Sequence, residues 1–276
     1  MSKYTKYFTV LFVLHFTTLI SAQQKMLYEL PEFTGIPYYY SAYTVLFNKK
    51  LNIPEWVAWE LNKSRLNNFT IKSRESGFTS DPNLGSSSPK YNDYTNSGYD
   101  RGHMCPANDC RGSASMLAES FYMSNVCPQM KFLNQHSCWR TLEDKCQTWI
   151  LEYGAFTNLY IICGPVRGKY LDIIYSSNGT RIQVPAMFFK GIIGQKSDGN
   201  YAGIAFLFKQ DGTFTYSTID DIENIIGMNL FASFPQKLQD KIEKAKPSNE
   251  DWPDLYIFHM SHDSRKNAKD FSAFIL

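Results

Sequence analysis

The sequence predicts a mixed α+β fold, and three observations carry that expectation. Short runs of β-branched and aromatic residues, bounded by turn formers, recur along the chain. One long stretch, Phe132 to Tyr153, repeats its apolar residues at helical spacing. No internal repeat, low-complexity tract or linker divides the two kinds of segment, so residues 43–276 are expected to form one domain.

Each element follows from its local chemistry. Residues 1–22 have the layout of a secretory signal peptide: Lys3 and Lys6, an apolar run from Phe8 to Ile20, then Ser21-Ala22. That run is short for a bilayer span, and no second long apolar stretch follows, so no membrane anchor is expected after cleavage. Residues 23–42 read as an extended, uncommitted lead-in. Tyr43–Phe47 and Glu55–Leu61 read as two strands joined by the turn Asn48-Lys49-Lys50, a hairpin at a sheet edge, with a helix the alternative for Glu55–Leu61. Residues 79–98, rich in Ser, Asn, Asp, Gly and Pro, read as a long loop. Met116–Met123 reads as a short helix passing into strand-like sequence at Val126-Cys127, which Pro128 is expected to stop. Phe132–Tyr153 reads as the main helix, with Trp139, Leu142, Cys146, Trp149 and Ile150 on one face and Gly154 at its end. Leu159–Cys163, Ile182–Val184, Ala186–Ile193 and Tyr201–Phe208 read as further strands, and Gln236–Ala245 as a charged surface helix.

Charge and cysteine content narrow the classes. The chain has 28 Lys and Arg against 26 Asp and Glu, and the signal segment contains two of the lysines and no acid. The mature chain is therefore neutral, and affinity for a polyanion must come from a local cluster rather than a global field. All six cysteines (Cys105, Cys110, Cys127, Cys138, Cys146, Cys163) lie in the middle of the chain. In an exported protein an even count predicts disulfides, with 15 possible pairings. No Cys-x-x-Cys pair is present, which argues against structural zinc.

Among five histidines, only His103 has a reactive neighbourhood: Tyr99-Asp-Arg-Gly-His-Met-Cys-Pro-Ala107. An imidazole accepts a proton from water near neutral pH. Arg101, two residues earlier, suits phosphate oxygens. His259 and His262 sit three apart with no third ligand nearby, and read as surface or hydrogen-bonded side chains. A second cluster follows: Ser124-Asn125 with Pro128-Gln129, then Asn134, and Trp139 with Leu142-Glu143. Taken alone these are an amide that caps a helix and a solvated glutamate.

Taken with His103, in order, they resemble the DNA/RNA non-specific endonucleases, the family of secreted bacterial nucleases and mitochondrial endonuclease G. The series runs through Trp56-Val-Ala, Arg74 with Asp81-Pro82, Asp100-Arg-Gly-His103 with Pro106-Ala107 and Asp109, Ser120–Asn125, Pro128-Gln129, Asn134, Trp139, Leu142-Glu143 and Gly164-Pro165. The resemblance implies a mainly antiparallel central sheet flanked by helices, with a ββα-metal active site.

It also implies roles. His103 is the general base. Asn134 is the direct protein ligand of one divalent cation, Mg2+ or another such as Mn2+, which keeps most of its waters. Glu143 orients metal-bound water, Arg101 and Arg74 hold phosphate oxygens, and Asn125 helps position the site. DNA and RNA are the implied substrates, read through the backbone and left with 5′-phosphates. The alternatives are a phosphodiesterase of narrower range and a non-catalytic nucleic-acid-binding protein on the same scaffold. Oligomeric state is not legible.

One spacing departs from the family pattern: Asn134 and Glu143 are nine apart, with one extra residue before Trp139. On a continuous helix nine steps turn the two side chains about 180° apart. Either Asn134 precedes the helix, a bulge absorbs the extra residue, or Gln135 is the metal amide; the Phe-Leu-Asn context favours Asn134. A Cys105–Cys110 bridge would stiffen the loop after His103. Asn62, Asn68 and Asn178 lie in glycosylation sequons.

Overall fold

Eleven strands and seven helices are formed within the described residues, 27–67 and 77–260 of a computed structural model. The expected signal peptide, Arg74, Asn68 and His262 lie outside them. In chain order the strands are β1 (Tyr38–Tyr39), β2 (Thr44–Asn48), β3 (Ile53–Asn62), β4 (Asp100–His103), β5 (Val126–Gln129), β6 (Asn158–Pro165), β7 (Tyr170–Tyr175), β8 (Arg181–Pro185), β9 (Met187–Gln195), β10 (Tyr201–Lys209) and β11 (Phe214–Ser217). The helices are α1 (Lys63–Asn67), α2 (Ala114–Ser120), α3 (Lys131–His136), α4 (Cys138–Leu151), α5 (Ile219–Ile226), α6 (Gln236–Glu243) and α7 (Ile257–Met260).

Seven strands form one sheet in the order β1-β2-β3-β6-β9-β10-β11, antiparallel at every pairing. This is the expected antiparallel sheet with flanking helices. Strand alternation sends neighbouring side chains to opposite faces. Trp59, Ile161, Ile192 and Ile204 are in register across four strands and bury one face against Trp139, Leu142 and Trp149 of α4. Ala58, Ile162, Ala205 and Leu207 point the other way, into a second core completed by Ile219, Ile222 and Ile226 of α5 and Ile242 of α6. The sheet is thus covered on both faces, and the helix amphipathicity read from the sequence has one face each to fill. No helix among the described residues is long and apolar enough to cross a membrane.

The structure changes several readings. The lead-in is committed: Leu30 is buried, Tyr28 packs on Phe234, Phe33 packs on Trp56, and β1 extends the sheet. Pro128 lies inside β5 and does not end it. β5 pairs only with β4, so the ladder requires no N–H from Pro128, while Gln210 Nε2 donates to the Pro128 carbonyl at 2.9 Å. The expected helix over Phe132–Tyr153 is two helices. Ser137 is extended between them (φ −98°, ψ −179°); its hydroxyl accepts from Trp139 N at 3.1 Å and donates to Leu133 O at 2.6 Å. The six cysteines are buried free thiols, so the expected disulfide framework is not formed. Cys105 and Cys110 approach with their sulfurs 3.5 Å apart, and Cys163 donates to Met104 O.

Candidate active site

The residues singled out by the sequence are brought together by a small hairpin and the helix pair after it. β4 and β5 pair His103 with Val126, Gly102 with Cys127, Arg101 with Pro128 and Asp100 with Gln129. Gly102 is required by packing: a Cβ there would sit 2.0 Å from Gln129 Oε1. Beyond His103 the chain is clamped by Asn125. Its Oδ1 accepts from Cys105 N at 2.9 Å, and its Nδ2 donates to Cys105 O and Ser120 O at 2.9 and 2.8 Å. Met104 N donates to Asn125 O as well. Fully buried, Asn125 fixes the loop that presents His103 and does not line the cavity.

The His103 ring lies between Phe78 and Phe121, with centroids 4.8 and 5.2 Å away. It opens on a cavity of about 330 Å³ shared with Arg101, Asn134, Arg140, Glu143 and Gln147. Arg101 is half-buried and preset. Its guanidinium stacks 3.8 Å from the Tyr91 ring centroid, and its Nη2 and Nε donate to the Tyr91 carbonyl at 2.6 and 3.1 Å. Those bonds leave Nη1 and its edge to meet an anion.

The break at Ser137 resolves the nine-residue spacing. Asn134 lies on α3 and Glu143 on α4, so the rotation of a single helix does not apply. Asn134 Nδ2 donates to Asp100 Oδ2 at 2.9 Å, and Gln135 Nε2 donates to the same oxygen at 2.6 Å. With its nitrogen so occupied, the Asn134 amide keeps its oxygen for a ligand. Among the described residues no three His, Cys, Asp or Glu side chains form a metal cage. The donor set is instead amide and carboxylate oxygen with open space around it, which suits a hard cation that retains water.

Beneath this cavity lies a buried polar layer. Lys190, on β9 and 1% exposed, places Nζ 4.0 Å from Glu143 Oε1 and 3.9 Å from the Trp139 ring centroid. Burial pushes the Glu143 carboxyl up to about 7, with Lys190 the strongest opposing influence. Asp109, fully buried, accepts from Trp59 Nε1 at 3.0 Å and Gln147 Nε2 at 2.8 Å. Burial raises its pKa while Arg65 opposes. Arg65 ties the loop down by donating to the carbonyls of Asp109, Ala42 and Glu60.

Of the expected site residues, His103, Arg101, Asn134 and Glu143 share the cavity, Asn125 stands behind it, and Arg74 lies outside the described residues. Sequence reasoning missed Lys190 and Arg140. The signal for Lys190 was present: one lysine inside the apolar strand Met187-Phe-Phe-Lys-Gly-Ile-Ile193 must be buried, and so must find an anion.

An antiparallel hairpin followed by a helix, packed on one face of a larger antiparallel sheet, puts this fold in the ββα-metal class. The model of the DNA/RNA non-specific endonuclease family matches residues 24–237, and the chain belongs to that family. It is 34% identical over 165 residues to the mitochondrial nuclease 1 of Schizosaccharomyces pombe, covering 56% of this chain and 50% of that one. It is 27% identical over 206 residues to nuclease C1 of Cunninghamella echinulata, covering 69% and 80%. It therefore spans about half the length of the first relative and most of the second. The fold also matches a chain of the crystal structure of an EndoG/EndoGI complex with a TM-score of 0.63, covering 78% of this chain and 93% of that one at 23% identity.

Proposed function

We propose that this protein is an exported, metal-dependent endonuclease that hydrolyses phosphodiester bonds of DNA and RNA without sequence specificity. The observation that carries this reading is the convergence of His103, Arg101, Asn134 and Glu143 on one cavity, from one strand and two helices. Membership in the nuclease family supports it, and export rests on the character of residues 1–22.

His103 takes a proton from the attacking water, its ring held edge and face by Phe121 and Phe78. Arg101, already ordered by Tyr91, meets phosphate oxygens as their charge grows, so little freedom is lost at that moment. Arg74 is assigned the same task on the sequence pattern alone. Asn134 would hold the divalent cation, Mg2+ or Mn2+, through its amide oxygen, and Glu143 would orient water at that site. When bound, that cation neutralises charge on the leaving oxygen. Lys190, 4.0 Å away, opposes the burial that pushes the Glu143 carboxyl up to about 7.

Plasmid and RNA digestion by the mature protein, with Mg2+ and with EDTA, tests the reading beside His103→Ala. The expected result is metal-dependent loss of both substrates and a drop of about 10²–10⁴-fold in kcat for the folded variant. Normal cutting by His103→Ala removes the assigned base. Binding without cutting by the parent would favour a nucleic-acid-binding protein.

A further inference from the structure

A neutral mature chain needs a local cluster to hold a polyanion, and one lies away from the catalytic cavity. Lys49 and Lys50, at the β2–β3 turn, and Arg181, at the start of β8, face a cavity of about 500 Å³. Ser86, Ser87 and Thr180 add hydroxyl groups to its wall, and no carboxylate lines it. The three cations are exposed, and none forms an ion pair with a described residue. Their relative placement is fixed by the backbone. Asn52 Nδ2 donates to Arg181 O, and Gln183 N donates to Leu51 O, each at 2.9 Å.

This cavity is joined to the catalytic one by a short stretch of chain. Ser86 to Pro89 wall it, and two residues further on Tyr91 carries Arg101 on its ring and carbonyl. Lys90 stands exposed between them. From the other side, Asn178 in the β7–β8 turn donates to Asp93 Oδ1 at 2.6 Å and anchors the same stretch. A cationic rim thus runs from Arg101 past Lys90 to Lys49, Lys50 and Arg181.

We propose that the second cavity is a phosphate site for the polynucleotide strand, gripping backbone phosphates remote from the one cleaved at His103. Ammonium, guanidinium and hydroxyl donors suit phosphate oxygens, and phosphate contacts position a strand without reading its bases. The site deepens, and rests on, the nuclease reading.

The test uses the full mature chain and a triple variant, Lys49→Gln, Lys50→Gln and Arg181→Gln, all on exposed positions. Binding of a long labelled single strand is followed in EDTA by fluorescence anisotropy across salt concentration. Three lost phosphate contacts should flatten the log–log salt slope by about 2, so the parent loses about 20-fold more affinity than the variant between about 50 and 200 mM salt. KM for long DNA should rise, while turnover of bis(p-nitrophenyl) phosphate, too small to reach the second cavity, stays unchanged. Equal salt slopes for parent and variant overturn the proposal. Stabilisation of the parent, but not the variant, by inorganic phosphate alone, with equal strand slopes, assigns the cavity to free phosphate and also overturns it. A parent that cleaves neither substrate defeats the nuclease reading, and the anisotropy slope still judges the phosphate site.

Discussion

The two faces of the central sheet bury carboxylates by opposite means. On the face that carries His103, Glu143 is pushed up to about 7 by burial, and the buried Lys190 and then Arg140 pull it back toward the ionised form. On the other face Glu223 and Glu243 meet between α5 and α6. Burial pushes Glu223 up to about 8 and its neighbour Glu243 pushes it the same way; Glu243 itself rises to about 7 through burial, then Asp220 and Asp240. Among the described residues the cation acting on that pair is the surface Lys244. Glu243 Oε1 is buried with no hydrogen-bond partner among the described residues. On one face a buried cation opposes the effect of burial, and on the other the neighbouring carboxylates add to it. A buried carboxylate with a buried cation against it is held in a different field from one packed among other carboxylates.

That contrast breaks most sharply at Lys190. Lys190→Met leaves the Glu143 carboxylate without its buried partner and should cost about 3–5 kcal/mol in urea unfolding, while Lys190→Met with Glu143→Gln recovers most of it. Recovery of stability without activity would separate the pair's structural part from its use in the site. A loss below about 1 kcal/mol for Lys190→Met would mean that the two faces do not differ in this way.

Gly102→Ala should come next. The added methyl meets the buried Gln129 side chain and forces it to move, a cost of about 1–3 kcal/mol by thermal or urea unfolding. Because Gly102 lies between Arg101 and His103, activity should fall as well.

The acidic pair on the other face gives a smaller, pH-dependent effect. Its folded-state values of about 8 and 7 lie above the ordinary 4.5. The folded protein therefore holds more protons than the unfolded chain between those limits. This part of the stability is complete below about pH 4.5 and declines as pH rises through about 7 to 8. Glu223→Gln with Glu243→Gln should flatten the fall in Tm over that range, and an unchanged profile would show that the pair ionises freely.

Arg140→Ala should have the least effect on folding. Arg140 pairs with Asp144 at 3.4 Å, both well exposed at 45% and 58%. Such a pair contributes little, and the change in stability should stay within about 0.5 kcal/mol. Because Arg140 lines the candidate active-site cavity, its removal should still raise KM for DNA, a split that sets its role apart from that of Lys190.

Much of the candidate active-site cavity was legible because its parts announce themselves locally. Asp100-Arg-Gly-His103 sets an arginine two residues before a histidine, and Asn134, Trp139 and Glu143 follow it in order along the chain. The strand pattern of β3, β6, β9 and β10 was legible through hydrophobicity. Helix α5 was equally available and went unread: Thr218 caps it by accepting from Asp221 N at 3.1 Å, Asp220 and Asp221 fill the first turn, and Gly227 closes it at φ 66°. The split at Ser137 was harder, because the apolar spacing on either side of it suits one helix as well as two.

By itself, then, the sequence determined the α+β class, the strand and helix faces, and the ordered series that marks the family. Those properties depend on neighbours within a few residues, where side-chain period and capping act. The tertiary structure alone decided that Lys190 meets Glu143, that Asp109 is held by Trp59 and Gln147, and that Lys49 and Lys50 share a cavity with Arg181. Such pairings depend on sheet register and on which helix covers which face, and no local propensity encodes either.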